Sequence, residues 1–88
     1  MTCRRFTVTG RVQGVWFRDS TRQQAERRQI TGYARNMPDG TVDVVACGDS
    51  DAVEELFDWL HHGPRLASVD SVIEREAPDG DYSSFAIG

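Results

Sequence analysis

The tightest constraint on the fold is a turn. Met37-Pro38-Asp39-Gly40 separates two strand-like runs, Tyr33-Ala34-Arg35-Asn36 and Thr41-Val42-Asp43-Val44-Val45-Ala46-Cys47. Proline presets φ and glycine accepts φ > 0, so Pro-Asp-Gly turns the second run back on the first as a hairpin. The two strands are therefore antiparallel neighbours, and the rest of the chain must pack around them.

Upstream, residues 3–12 alternate in the manner of a strand with one wet face. Phe6, Val8 and Val12 fall on one side and Arg5, Thr7, Thr9 and Arg11 on the other. A loop over 13–18 follows. A helix is then expected over about 19–30, opening at Asp19-Ser20, with a thin apolar stripe of Phe17, Thr21, Ala25 and the Arg28 stem. Gly32 is the expected stop. Downstream, Gly48-Asp49-Ser50-Asp51 offers helix caps, and Glu54, three residues after Asp51, resembles a capping box. Val53, Leu56, Phe57 and Leu60 recur at i, i+3, i+4 and i+7, an amphipathic helix that ends at Gly63-Pro64. Val69 to Ala77 reads as a fourth strand, Pro78-Asp79-Gly80 as a second turn, and Tyr82 to Ile87 as a short last strand.

The order is β-α-β-β-α-β with an extra C-terminal strand. Right-handed crossovers make the first two strands parallel and set the third antiparallel, between or beside them. This is the split βαβ, an α+β ferredoxin-like sandwich with two helices on one face of a mixed sheet. Eighty-eight residues make one domain, 1–88, with a modest core. No apolar run reaches the roughly 18 residues of a membrane span. Met1-Thr2-Cys3-Arg4-Arg5 lacks the apolar segment of a secretory signal, so a cytoplasmic location is expected.

Charge narrows the function. The net charge of −4 disfavours nucleic acid as a partner, and an RNA reader on this fold would stack bases on a run of sheet-face aromatics that strand one lacks. All ten basic residues are arginine. Schiff-base chemistry and a Walker-type lysine are thereby excluded. An anion site here must use arginine and backbone donors.

Such a site is legible between the first strand and the first helix, in Gly10-Arg-Val-Gln-Gly-Val-Trp-Phe-Arg18. A glycine in a strand-to-helix loop lets successive N–H groups point inward, a cradle for phosphate at a helix N-terminus. The cradle is expected from Gln13, Gly14, Val15, Trp16, Phe17 and Arg18. The Arg18 fork is placed to close on the same anion with two hydrogen bonds. Because strands one and two run the same way, Asn36 at the end of strand two comes to the same edge, although it lies 18 residues further along. A carboxamide is no general base at neutral pH, but its oxygen can orient a water.

Gly-Arg-Val-Gln-Gly-Val-Trp-Phe-Arg, then Gly-Tyr-Ala-Arg-Asn and Asp-Gly-Thr-Val, together resemble the acylphosphatase family, a likeness that continues to Tyr82-Ser-Ser-Phe85-Ala-Ile87. Ala34 departs from it, standing where a larger β-branched residue is usual. The resemblance implies hydrolysis of the carboxyl-phosphate bond of acyl phosphates to a carboxylate and inorganic phosphate, without metal or cofactor. It implies that Arg18 binds the phosphate and Asn36 orients the attacking water. The alternative is a ferredoxin-like domain that binds phosphate or a small ligand without turnover; the presence of both Arg18 and Asn36 favours the enzyme. A monomer acting on a small molecule is expected.

Other conspicuous residues read more plainly. Phe17 is expected to anchor the core, while Trp16 is open between core and substrate. Arg35 alternates away from Asn36 and reads as surface. His61 and His62 suit a helix C-terminus better than a ligand set. Asp49, Ser50 and Asp51 read as caps rather than a metal site. The two cysteines, Cys3 and Cys47, have no metal spacing. Pairing Val8 with Val42 sets Cys3 opposite Cys47 on the face away from the helices, so a cross-strand disulfide is geometrically allowed. A reducing cytoplasm opposes it.

Overall fold

A computed structural model describes residues 1–88. The chain runs β1 (Thr2–Arg11), α1 (Phe17–Arg27), β2 (Thr31–Asn36), β3 (Val42–Gly48), α2 (Ser50–Leu60), β4 (Ser68–Arg75) and β5 (Phe85–Ile87). The strands form one sheet in the order β4-β1-β3-β2-β5, antiparallel except for the β2–β5 pair. β3 lies between β1 and β2, which leaves those two parallel with their C-terminal ends at one edge. This is the ferredoxin-like α+β arrangement with β5 added beside β2.

The core lies between the sheet and the helices. Phe6 and Val8 from β1, Val42, Val44 and Ala46 from β3 and Ala34 from β2 meet Phe17 and Ala25 of α1 and Val53, Leu56 and Leu60 of α2, all buried. The buried residues of α1 are Phe17, Thr21 and Ala25, the thin stripe that the sequence predicts. Thr21 is accommodated because its hydroxyl donates to the Phe17 carbonyl oxygen, 2.8 Å away.

All seven residues of β3 are buried, where a strand with one wet face would alternate. The connection from β4 to β5 explains this. It must pass from one edge of the sheet to the other, and it crosses the face away from the helices: Ala77, Pro78 and Asp79 lie beside Arg5, and Tyr82 packs edge-on against Tyr33 with centroids 5.9 Å apart. Under this cover Asp43, 4% exposed, accepts from Arg5 at 2.9 Å and from the Tyr33 hydroxyl at 3.2 Å. Burial, and then the Asp43 charge, raise the Tyr33 pKa and keep the phenol protonated.

Three local expectations need correction. Gly32 does not stop α1; Gln29, with φ 57°, provides the left-handed residue after the helix. Gly32 instead lies inside β2 at φ 139°, where an added Cβ would sit 1.9 Å from the Val45 carbonyl oxygen. The capping box is absent: Asp51 lies within the first turn of α2, Asp49 is the N-cap without a side-chain cap bond, and Glu54 is drawn to Arg4 at 2.8 Å. The last strand is shorter than Tyr82 to Ile87, because Tyr82 is spent on Tyr33 and pairing begins at Phe85.

The β1–β3 register sets Val8 opposite Val42 and Cys3 opposite Cys47. The two sulfurs stand 2.07 Å apart, at bonding distance. They lie at the end of the sheet remote from the β1–α1 loop.

Candidate active site

The loop after β1 turns twice through left-handed backbone. Gly14 has φ 72° and Trp16, the residue before α1, φ 65°. This geometry holds the amides of the loop and the first helical turn away from ordinary partners. The first loop or cap bond here is the Ser20 N–H to the Trp16 carbonyl, and no backbone hydrogen bond outside the regular elements has a donor between Gln13 and Asp19. A helix begins with unpaired N–H groups in any case; here the loop adds more at the same place. The result is a concentration of free donors at the positive end of a helix dipole.

Val15 and Phe17 are 5% and 1% exposed, so their side chains pin the loop to the core and only their amides are available to a ligand. Phe17 packs on Trp59 of α2, centroids 5.9 Å apart. Trp16 points the other way and is 73% exposed.

Arg18 sits in the first turn of α1 rather than in the loop, since the helix starts two residues before Asp19. Its Nη1 donates to the main-chain oxygen of Gly88, just beyond β5. The backbone N–H of Asn36 donates to that same oxygen at 3.2 Å, while the Gly88 N–H bonds the Ala34 carbonyl. Arg18 and Asn36 are thus tied to one point, and the Asn36 carboxamide is exposed with no side-chain hydrogen bond of its own. Sequence spacing brings these two residues to one edge; the shared oxygen of Gly88 has no sequence signal.

Gln13 contributes more than an amide. Its Nε2 donates to the Met37 carbonyl at 2.9 Å and to the Thr41 carbonyl at 2.8 Å, the two oxygens at the mouth of the β2–β3 hairpin. A single carboxamide therefore joins the loop to the turn that follows Asn36. Inside that turn Asp39 accepts from the Thr41 hydroxyl and amide, which hold its carboxyl below the ordinary carboxylate range.

A cleft of about 350 Å³ opens over the loop. It is lined by Val12, Gly14, Trp16, Phe17, Arg18 and Asp19 and by Ile87 of β5. No imidazole or thiol lines it. The Asp19 carboxylate is held by Arg22 at 2.5 Å and Gln23 at 3.1 Å. Arg35 stacks over the Tyr33 ring at 3.9 Å, and His61 bonds the Phe57 carbonyl, both away from the cleft lining.

Residues 4–87 match the family model described as Acylphosphatase. The chain is 51% identical over 84 residues to an acylphosphatase of Halorhodospira halophila, covering 96% of this chain and 91% of that relative. It is 56% identical over 75 residues to an acylphosphatase of Hahella chejuensis, covering 81% and 80%. The solved structure of an acylphosphatase from Coxiella burnetii superposes with a TM-score of 0.92 at 45% identity, over 99% of this chain and 92% of that one.

Proposed function

Since the chain belongs to the acylphosphatase family, hydrolases that act on acyl phosphates, we propose that its β1–α1 loop is the phosphate site and that Arg18 and Asn36 carry the reaction. Amides from Gln13 to Arg18 receive the phosphoryl oxygens, and the Arg18 fork closes on the same group. The Asn36 carboxamide orients a water on the phosphorus side opposite the acyl oxygen. The water oxygen bonds phosphorus, the bond from phosphorus to the acyl oxygen breaks, and its electron pair leaves with the carboxylate. A phosphoryl oxygen takes the proton from the water. No protein base is required, because the leaving group is good and the task is to position reactants and neutralise charge.

One observation supports this reading above the others: Arg18 and Asn36 converge on a single oxygen, beside a loop whose amides have no partner. The test is hydrolysis of benzoyl phosphate in the presence of chelator. Wild type is expected to turn over, with a rate flat from about pH 5 to 8 and no limb near ~6.5, the ordinary histidine value. Asn36→Ala should lower kcat on the order of a hundredfold, the scale of a lost positioning interaction, with little change in KM. Arg18→Ala should chiefly raise KM. A wild type that binds phosphate without turnover would make the domain a binder, and full activity in either variant would remove that residue from the mechanism. We also place the protein in the cytoplasm as a monomer, a state that sedimentation at working concentration will check.

A further inference from the structure

Trp16 holds a strained backbone conformation and contributes little packing. Its φ of 65° is a backbone region that bulky side chains seldom occupy. Its indole is 73% exposed, although Trp59, the other tryptophan, is packed on Phe17. An outlier of this kind at the rim of a ligand site asks for a functional reason.

The lining of the cleft supplies one. Its volume of about 350 Å³ falls among small-molecule sites of roughly 300–1,000 Å³, more than a phosphate against the loop amides requires. Beyond the cradle, the walls are the Trp16 indole and Ile87, itself 39% exposed, over a floor of Val12 and Phe17. The charged groups in the lining are Arg18, already engaged by Gly88, and Asp19. An acyl group carrying its own carboxylate would find no second cation there and would meet the Asp19 charge.

We infer that Trp16 and Ile87 form an acyl-side subsite that selects acyl phosphates with a flat apolar acyl group, aromatic above all, over acetyl-sized or carboxylate-bearing ones. The inference rests on the acylphosphatase reading of the cradle and names the substrate class for it. The indole offers an aromatic ring a face for offset stacking, and Ile87 adds an apolar side chain to the same lining.

Affinity for non-hydrolysable analogues separates this from turnover. Phenacylphosphonate mimics benzoyl phosphate and acetonylphosphonate mimics acetyl phosphate. Calorimetry on wild type should show the aromatic analogue binding about three- to tenfold tighter, the scale of one aromatic contact. Trp16→Ala should reduce that ratio to about twofold or less, and Trp16→Phe should restore most of it. Ile87→Ala, in a strand rather than the loop, should narrow the ratio even if Trp16→Ala disturbs the cradle and weakens both ligands. A wild-type ratio near one, or a ratio unmoved in both alanine variants, overturns the subsite. Failure to hydrolyse either acyl phosphate while the ratio behaves as expected overturns the hydrolytic mechanism and leaves the subsite standing.

Discussion

Gln13 shows how far one residue can be read from sequence. Its place in the loop predicts an amide facing the anion, and nothing local predicts where its side chain goes. The Met37 and Thr41 carbonyls it reaches are 24 and 28 positions away and become neighbours only after the hairpin docks against β1. Each of those oxygens has a second donor, the Gly40 N–H and the Met37 N–H respectively. Gln13→Ala therefore leaves neither carbonyl orphaned and should cost about 1 kcal/mol, the net value of ordinary hydrogen bonds. Gln13→Glu is worse at neutral pH, because an ionised carboxylate has no proton to give and faces two acceptors. It should cost about 1–3 kcal/mol more, the penalty for a buried polar mismatch. Protonation supplies one donor, and two facing carbonyls raise the folded-state pKa, so the extra loss should shrink as pH falls towards the unfolded glutamate value of about 4.3 and change no further below it. Thermal melts of both variants between neutral and acidic pH check this, and parallel curves would show that the bonds to the hairpin mouth do not form.

At the scale of elements, the sequence was most legible where one physical rule acted alone. The i, i+3, i+4, i+7 pattern of α2 and the Pro38-Asp39-Gly40 turn have no competitor, and both appear as expected. Where two rules competed, tertiary contact prevailed. Gly32 had the look of a helix stop, yet it is needed in β2 because the Val45 backbone leaves no room for a side chain. Glu54 had the spacing of a capping box, yet Arg4 offers it an opposite charge. Arg4 joins three elements in this way: its Nε and Nη2 grip Glu74 of β4 at 3.0 and 2.8 Å, while Nη1 reaches Glu54 of α2. The Arg4 fork holds the Glu74 carboxyl below its ordinary value of 4.5. A depressed folded-state pKa gives stability that is present above the unfolded value and lost as pH falls through the folded one. Since Glu74 is 47% exposed at its side chain, solvent screening limits the pair to about 0.3–1 kcal/mol. Glu74→Gln should accordingly lower Tm by a few degrees at pH 7, on the scaling of about 4–8 °C per kcal/mol for a domain this size. The two melting curves should meet once the pH is well below 4.5. A gap of constant size across that range would assign the loss to packing instead of charge.

Over the whole molecule, the two ends of the sheet have different tasks. One end gathers the loop, Arg18, Asn36 and Ile87; the other is closed where Cys3 opens β1 and Cys47 nears the end of β3. Pairing Val8 with Val42 brings the cysteines face to face from sequence alone. The cover over the face away from the helices was not legible. Residues 76–84 read as a strand end, a Pro78-Asp79-Gly80 turn and the start of the last strand, whereas β4 ends at Arg75, β5 begins at Phe85 and the path between is dictated by the need to reach β5 at the far edge. We propose that the bond forms in the purified protein. Linking positions 44 apart restricts the unfolded chain, which in the loop-entropy model stabilises by about 4 kcal/mol, with typical measured values of about 2–4. Cys3 is exposed, so reductant can reach the bond without global unfolding, whereas Cys47 is 3% exposed and is held by the surrounding β3 packing after reduction. Reduction should thus lower the urea midpoint and raise m, because the released unfolded chain is less compact, and Cys3→Ser should reproduce the reduced protein. Hydrolysis at 25 °C should be the same before and after, because the cradle sits at the opposite end and both redox forms remain folded there. Two free thiols in denatured, unreduced protein would show that the pair is open. A fall in kcat on reduction, without loss of folded protein, would show instead that the two ends of the sheet are coupled.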